Sequence, residues 1–187
     1  MCDQAGILLI LDEVQSGMGR TGTLFAYQHW GVEPDIMTLA KALAGGIPVG
    51  AMLAREHVAA SFVPGTHAST FGGTPFVSAV AYAVVSTILD EDLPGRAARV
   101  GKYFLDRLVS LKDRHRIVTA VRGKGLLLGL EVSVPARVVV SGCMERGLLT
   151  LTAGDSVVRF VPPLIVGEAE VDRAVGILAE VLARLEK

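Results

Sequence analysis

The stretch ILLILDEVQSG, residues 7–17, decides how this chain folds. Five apolar residues run without interruption and stop at two adjacent acids, Asp12 and Glu13. A short, continuous apolar run is typical of a strand covered on both faces of a parallel sheet, so we predict a strand over residues 6–11. Ligands of such sheets collect at the carboxyl ends of the strands, where Asp12 lies. Asp12 is therefore predicted to bind a ligand, and its carboxylate suits a protonated ring nitrogen.

The same letters also fit the strand that holds Mg²⁺ in a P-loop ATPase. That function needs a glycine-rich phosphate loop of the form Gly-x-x-x-x-Gly-Lys-Ser/Thr. The chain contains no such loop: Lys102 and Lys124 follow glycines but precede Tyr and Gly. The sequence therefore disfavours an ATPase.

Composition and charge exclude several classes of function. Of the 187 residues, 51% are hydrophobic and 20% charged, which permits a sizeable core and excludes wholesale disorder. The formal net charge of −1 offers no basic surplus for nucleic acid or an anionic membrane. Neither the cysteines, Cys2 and Cys143, nor the histidines show metal-ligand spacing, so we expect no metal site. Free cysteines and a start without a secretory signal pattern lead us to expect a cytoplasmic protein.

Residues 58–89 contain no Asp, Glu, Lys or Arg. Glycines and prolines break this stretch, and the unbroken part, residues 76–89, is shorter than the roughly 20 residues that cross a bilayer. We therefore predict that the stretch is buried in protein, partly at a subunit interface, and that residues 76–89 form a helix.

Periodicity divides the chain into two parts. Before residue 95 we predict further short strands at residues 35–39 and 49–53, which suit the late part of an α/β sheet. After it we predict an amphipathic helix at residues 94–111, a strand pair at 118–134 and a helix at 138–146. Two strands, at residues 148–151 and 157–160, and a final helix from residue 171 onward complete the prediction. Residues 1–94 are thus predicted to be part of an α/β domain and residues 95–187 a small α+β domain.

Three further features could carry chemistry, and each also has an ordinary structural explanation. Lys41, in TLAKAL, is flanked by apolar residues; it is either a lysine whose stem covers apolar surface or a Schiff-base nucleophile favoured by desolvation. The loop HASTFGGTP, residues 67–75, offers hydroxyls on Ser69, Thr70 and Thr74 that suit a phosphate, although it could be a simple turn. Arg159, in VVRFVPPL, pairs either with an acid of the protein or with a substrate carboxylate.

Taken together, these segments resemble the C-terminal half of a class III (ornithine-type) pyridoxal-phosphate aminotransferase. The segments occur in the order that this family has them, and they are LLILDEVQSGMGRTG, PDIMTLAKALAGGIPVGA, HASTFGGTP, VRGKGLLLGLE and VVRFVPPL. The resemblance covers essentially the whole chain. It implies the C-terminal part of a fold type I large domain followed by a small α+β domain.

The resemblance also implies a role for each candidate residue. Asp12 would bind the pyridine nitrogen of pyridoxal 5′-phosphate, Val14 would pack under the ring and Gln15 would reach its phenolic oxygen. Lys41 would be the Schiff-base lysine and would move the proton. The remaining roles concern anionic groups: Ser69 and Thr70 would serve the cofactor phosphate, with Thr70 acting on the neighbouring subunit of a homodimer, and Arg159 would bind the substrate carboxylate.

Within the family, the pattern is most similar to the acetylornithine aminotransferase branch, which implies ω-amino transfer from N-acetylornithine to 2-oxoglutarate in arginine biosynthesis. Acetyl-lysine, succinyl-diaminopimelate, ornithine and 4-aminobutyrate remain open as donors, as does a non-catalytic truncated relic. Family members are roughly twice this length. We therefore expect a fragment that is competent only with the missing half.

Overall fold

The computed structural model describes residues 1–186, which form two compact units. Unit 1 comprises Met1–Pro94, and unit 2 comprises the described residues from Gly95 onward. Within the described residues, no helix is long and apolar enough to cross a membrane.

Unit 1 is built on a three-stranded sheet of order β1-β2-β3. Its elements, in chain order, are α1 (Cys2–Ala5), β1 (Ile10–Asp12), β2 (Ile36–Leu39), β3 (Ala51–Ala54), α2 (Glu56–Ala59) and α3 (Pro75–Asp90). Short 3₁₀ helices lie between these elements, at Ala26–His29 after β1 and at Lys41–Ala44 after β2. Strands β1 and β2 are parallel, whereas β3 runs antiparallel to β2.

The first strand differs from the prediction in its limits and in its surroundings. We predicted a strand over residues 6–11, but the strand is Ile10–Asp12. Gly6 has a left-handed conformation, with φ +64°, and ends helix α1. The predicted cover on both faces is also wrong for this chain, because Ile7, Leu8 and Ile10 are each more than half exposed. The third strand begins two residues later than predicted.

The uncharged stretch forms the predicted helix but is not buried in this chain. Helix α3 extends one residue beyond each end of the prediction. At its start, Pro75 fits the first helical position, where its missing N–H costs nothing. Residues 60–73 are all exposed, and only Val58 and Ile88 of the whole stretch are buried. The described residues therefore do not bury this stretch among themselves, and its burial at a subunit interface stays a prediction.

Unit 2 packs helices against a four-stranded sheet of order β4-β5-β7-β6. Its elements are α4 (Leu93–Lys112, which begins two residues before the unit), β4 (Val118–Lys124), β5 (Leu127–Val132), α5 (Ala136–Met144), β6 (Leu151–Ala153), β7 (Val157–Phe160) and α6 (Glu168–Leu185). All neighbouring strands are antiparallel. The predicted elements are present, with shifts of two or three residues. The strand expected at residues 148–151 is Leu151–Ala153, the helix expected at residues 138–146 is Ala136–Met144, and the last helix begins at Glu168 instead of residue 171.

The core of unit 2 lies between one face of this sheet and its helices. Leu128, Leu130 and Val132 alternate along β5 and are at most 2% exposed, as expected for a strand covered on one face. They pack in one cluster with the predicted apolar face of α6, which comprises Val171, Val175, Leu178 and Leu182. The opposite sheet face carries Arg122, Gly129, Glu131 and Arg159, so it is the face that remains for polar chemistry.

A hydrogen-bonded carboxylate fixes the end of α6 and predicts acid sensitivity of unit 2. Glu186 accepts hydrogen bonds from the Ile117 N–H, at 3.1 Å, and from His115 Nδ1, at 3.0 Å. The His115 contact, followed by that from the Ile117 N–H, lowers the pKa of Glu186. A carboxyl whose pKa is lowered by folding stabilises the fold above its unfolded pKa, and this contribution is lost as pH falls through the folded value.

We therefore expect Glu186→Gln to lower the free energy of unfolding at pH 7 and to have a diminishing effect as the pH falls below about 4, near the ordinary pKa of a glutamate. Urea unfolding followed by circular dichroism at both pH values measures this difference. Glu180→Gln is the matched control, since Glu180 is exposed on the same helix and its contact with Arg146 is long, at 3.9 Å. An equal effect of Glu186→Gln at both pH values would contradict the ionic contribution.

Candidate active site

Asp12 and Lys41 lie at the same edge of the sheet in unit 1. Asp12 is the last residue of β1 and pairs with Thr38 of the parallel strand β2. Lys41 follows the end of β2 by two residues. Because parallel strands end at a common edge, the register alone brings the two predicted residues to the same side of the fold, which is where ligands of α/β sheets bind.

The Asp12 carboxylate is fixed on one oxygen and open on the other. Its Oδ1 accepts hydrogen bonds from the Val14 N–H, at 2.9 Å, and from Thr38 Oγ1, at 3.4 Å. Its Oδ2 has no hydrogen-bond partner among residues 1–186, and the residue is exposed. An oriented carboxylate with one free oxygen can accept a charge-assisted hydrogen bond from a protonated heterocyclic nitrogen.

Val14 and Gln15 lie in the turn immediately after Asp12. The turn is closed by a hydrogen bond from the Gly17 N–H to the Glu13 carbonyl, 3.0 Å long. A β-carbon at Gly17 would lie 2.8 Å from that carbonyl oxygen, so the turn requires glycine. Val14 is half-buried and Gln15 is exposed, and both stay close to Asp12.

Glu13 has a structural role that is distinct from that of its neighbour. It is only 3% exposed. Its Oε1 accepts a hydrogen bond from the Tyr27 N–H, at 2.8 Å, and its Oε2 accepts one from Ser16 Oγ, at 2.6 Å. The side chain therefore ties the loop after β1 to the segment around Tyr27 and fixes the turn on which Asp12, Val14 and Gln15 depend.

Lys41 has an unusual backbone and an exposed side chain. Its φ of +49° places a non-glycine residue in the left-handed region, a conformation that is costly and concentrates at functional sites. The flanking Leu43 and Ala44 are buried, but Lys41 itself is exposed. The apolar surroundings considered from the sequence are thus absent around this side chain within residues 1–186.

The loop with the predicted phosphate ligands is exposed and locally ordered by Ser69. The Gly72 N–H donates to Ser69 Oγ, at 2.9 Å. The loop faces the segment Pro48–Gly50 across an open cleft of about 710 Å³. Ser69 lines this cleft, whereas Thr70 does not, and both are exposed.

Arg159 lies in unit 2, in the middle of β7. Its Nε is buried and has no hydrogen-bond partner among the described residues. Arg107 offers a comparison, because its Nε, although poorly aligned for a hydrogen bond, lies 2.9 Å from Asp172. No such acid lies within 4.0 Å of Arg159 in the described chain, so a carboxylate from outside these residues suits it.

Thr38 is a residue of this site that the sequence analysis missed. Its hydroxyl contacts Asp12 because the two residues are register partners. The only hint in the sequence was a polar threonine within the otherwise mostly apolar strand DIMTL. The strand register was needed to identify Asp12 as its partner.

Comparison with known proteins identifies the family of this chain. The family model described as "Aminotransferase class-III" matches residues 1–182. Acetylornithine aminotransferase of Clostridium acetobutylicum is 50% identical over 96% of this chain and 47% of its own length. Succinylornithine transaminase of Photorhabdus laumondii is 46% identical over 100% of this chain and 46% of its own length. The crystal structure of acetylornithine aminotransferase from Elizabethkingia anophelis has a TM-score of 0.92 at 36% identity, over 98% of this chain and 47% of that one.

Fold and sheet-edge residues together define the C-terminal part of a fold type I pyridoxal-phosphate-dependent transferase. More specifically, the chain belongs to the class III aminotransferase family, whose members depend on pyridoxal phosphate. The chain spans about half the length of the curated relatives that it matches. The resemblance stated from the sequence is therefore confirmed.

The contrast between the two adjacent acids gives a testable prediction. Glu13→Ala leaves two donors without their acceptor and should lower the free energy of unfolding of unit 1 by about 2 kcal/mol or more. Asp12→Asn changes an exposed side chain and should alter it by less than about 0.5 kcal/mol. Denaturant unfolding followed by the fluorescence of Trp30, the single tryptophan, measures unit 1 directly. Equal losses in the two variants would contradict the separate roles.

Proposed function

We propose that this chain is part of a pyridoxal-phosphate-dependent aminotransferase that transfers the ω-amino group of N-acetylornithine to 2-oxoglutarate. The observation that carries the proposal is the placement of Asp12 and Lys41 at one edge of the β1–β2 pair. The names of the relatives suggest the substrate: acetylornithine aminotransferases are about half identical to this chain over nearly all its length.

The residues present fit this cofactor. The free oxygen of Asp12 would hold the pyridine nitrogen in its protonated form, and Thr38 and the Val14 N–H would orient the carboxylate. Val14 would support the ring from below, and Gln15 would donate to its phenolic oxygen. Pyridoxal phosphate supplies the electron sink that makes the substrate C–H acidic.

Lys41 would link covalently to the cofactor and then carry the proton to and from the reacting carbon at its Nζ. Its left-handed backbone fixes the start of this side chain at the sheet edge. Both covalent attachment and proton uptake require the neutral amine of Lys41, and exclusion of water favours this neutral form. Because Lys41 is exposed in the described chain, we infer that this cover comes from residues beyond it.

Two observations support cover by further protein. The chain matches just under half of each relative's length. On the sheet of unit 1, Ile10, Met52 and Leu53 are 45–59% exposed. We therefore propose that activity requires the residues that correspond to the other half of these relatives.

We also propose a homodimer in which Thr70 serves the cofactor phosphate of the neighbouring subunit. The support is the exposure of the loop and of the helix that follows it, where Phe71, Phe76 and Tyr82 are 67–80% exposed. Arg159 would bind the substrate carboxylate; its buried Nε has no hydrogen-bond partner among the described residues.

Covalent trapping tests the assignment of Lys41. Borohydride reduction of the protein after incubation with pyridoxal phosphate, followed by peptide mapping, should place the label on Lys41. Lys41→Ala should abolish the label and the visible absorbance of the bound cofactor, whereas Lys112→Ala, at an exposed lysine of unit 2, should change neither. Label spread over several lysines, or no label on the complete protein, would overturn the proposal and favour the non-catalytic relic.

The donor is tested in a separate experiment. We expect kcat/KM of the complete protein to be at least about tenfold higher for N-acetylornithine than for ornithine, because the free α-ammonium of ornithine would lose water without gaining a partner. N-succinylornithine, acetyl-lysine, succinyl-diaminopimelate and 4-aminobutyrate are compared in the same assay. A higher kcat/KM for any of these donors would reassign the substrate while leaving the aminotransferase class intact.

A further inference from the structure

Gly129 occupies an unusual position on the open face of the sheet in unit 2. It pairs with Arg122 on one side and with Arg159 on the other, and Arg159 pairs in turn with Leu151. Directly opposed residues of antiparallel strands project from the same face, so these four residues form one row. A glycine thus separates two arginines.

The backbone does not explain this glycine. Gly129 is not among the residues with positive φ, so its conformation is open to any residue. A β-carbon there would lie 3.0 Å from Val157 Cγ1 and 3.9 Å from the Arg122 carbonyl oxygen, and no other described atom lies within 4 Å apart from those of Gly129 and its two chain neighbours. The space above Gly129, which we call the Gly129 notch, is therefore free of Arg159 atoms at this range. Glycine within a strand often marks a bulge, a bend, or the close approach of a ligand or another backbone. The register is regular at Gly129 on both sides, so a bulge does not explain it.

The charges around the notch favour an anion next to Arg159. Glu131, the acid of this sheet face that lies next to the row, is hydrogen-bonded to Arg122. Among the described residues Arg159 has no such partner, and its Nε is buried. A buried donor of a charged group without an acceptor is costly, so a carboxylate that entered here would gain the interaction that the chain leaves unmade.

We propose that Gly129 determines the specificity of the carboxylate site: the Gly129 notch admits the carboxylate that Arg159 binds, and the absence of a β-carbon sets the space available beside it. This inference rests on the role proposed for Arg159. Gly129 itself acts by leaving room and touches no reacting atom. A side chain at this position would displace the carboxylate from Arg159 even though the guanidinium is intact.

The test separates the notch from the contact with Val157. Val157→Ala removes the methyl group that a new β-carbon would meet, and it serves as the reference protein. Gly129→Ala in that background then adds only the β-carbon. The probe is glutarate, an unreactive dicarboxylate, and the readout is the ¹⁵N–¹H signal of Arg159 Nε in the full chain, which reports the carboxylate without any turnover.

We expect glutarate to shift the Arg159 Nε signal saturably in the wild type and in Val157→Ala. In Gly129→Ala/Val157→Ala the dissociation constant for glutarate should rise about tenfold or more relative to Val157→Ala, which is the loss expected for one hydrogen bond to a charged group. An unchanged constant in the double variant would overturn the role of Gly129 and leave that of Arg159 standing. Absence of a shift in the wild type would overturn both.

A second measurement needs no variant and covers the case in which the double variant fails to fold. Acetate and pivalate carry the same charge and differ in bulk next to the carboxylate. In the wild type, acetate should shift the Arg159 Nε signal at concentrations at which pivalate does not. Equal binding of the two anions would overturn the proposal that the notch limits the ligand.

Discussion

The parallel pairing of β1 with β2 is the constraint on which the candidate site depends. Its register sets Asp12 opposite Thr38, and the chain reaches Lys41 two residues beyond the end of β2. Both proposed cofactor contacts therefore follow from one set of backbone hydrogen bonds. A slip of one residue would reverse the side chains of a strand and separate the carboxylate from the edge where Lys41 lies.

The two adjacent acids show how one turn can combine stability with chemistry. Glu13 is buried and uses both carboxylate oxygens within the protein, whereas Asp12 is exposed and keeps one oxygen free. The stability of the turn thus rests on a residue that takes no part in the proposed chemistry. The same division occurs in unit 2, where Glu131 is paired with Arg122 while Arg159 keeps an unpartnered Nε.

The sequence predicted most elements of both units because their apolar periodicity is strong. Helices α3, α4 and α6 lie where predicted to within a few residues, since each carries a clear apolar face or a proline at its start. Motif order was sufficient to identify the family. Short strands were less well predicted, and β1 and β6 are displaced from the predicted positions. An apolar run indicates which residues tend to be buried, but it does not indicate where the hydrogen bonds between strands begin and end.

The environment of the site residues was beyond prediction. The apolar residues around Lys41 and in the stretch 58–89 suggested burial, yet Lys41 and residues 60–73 are exposed in the described chain. Apolar composition indicates that a surface is to be covered, but it does not say whether the cover lies in the same chain. The contact between Thr38 and Asp12 and the row through Gly129 also depend on strand register, which no local pattern specifies.

A crystal structure of the protein grown with pyridoxal phosphate is the most direct test of the account. It should show the ring nitrogen within hydrogen-bond distance of Asp12 Oδ2 and continuous density between the cofactor and Lys41 Nζ. A cofactor bound elsewhere, or one at this edge with its nitrogen turned away from Asp12, would contradict the claim that the β1–β2 register builds the site.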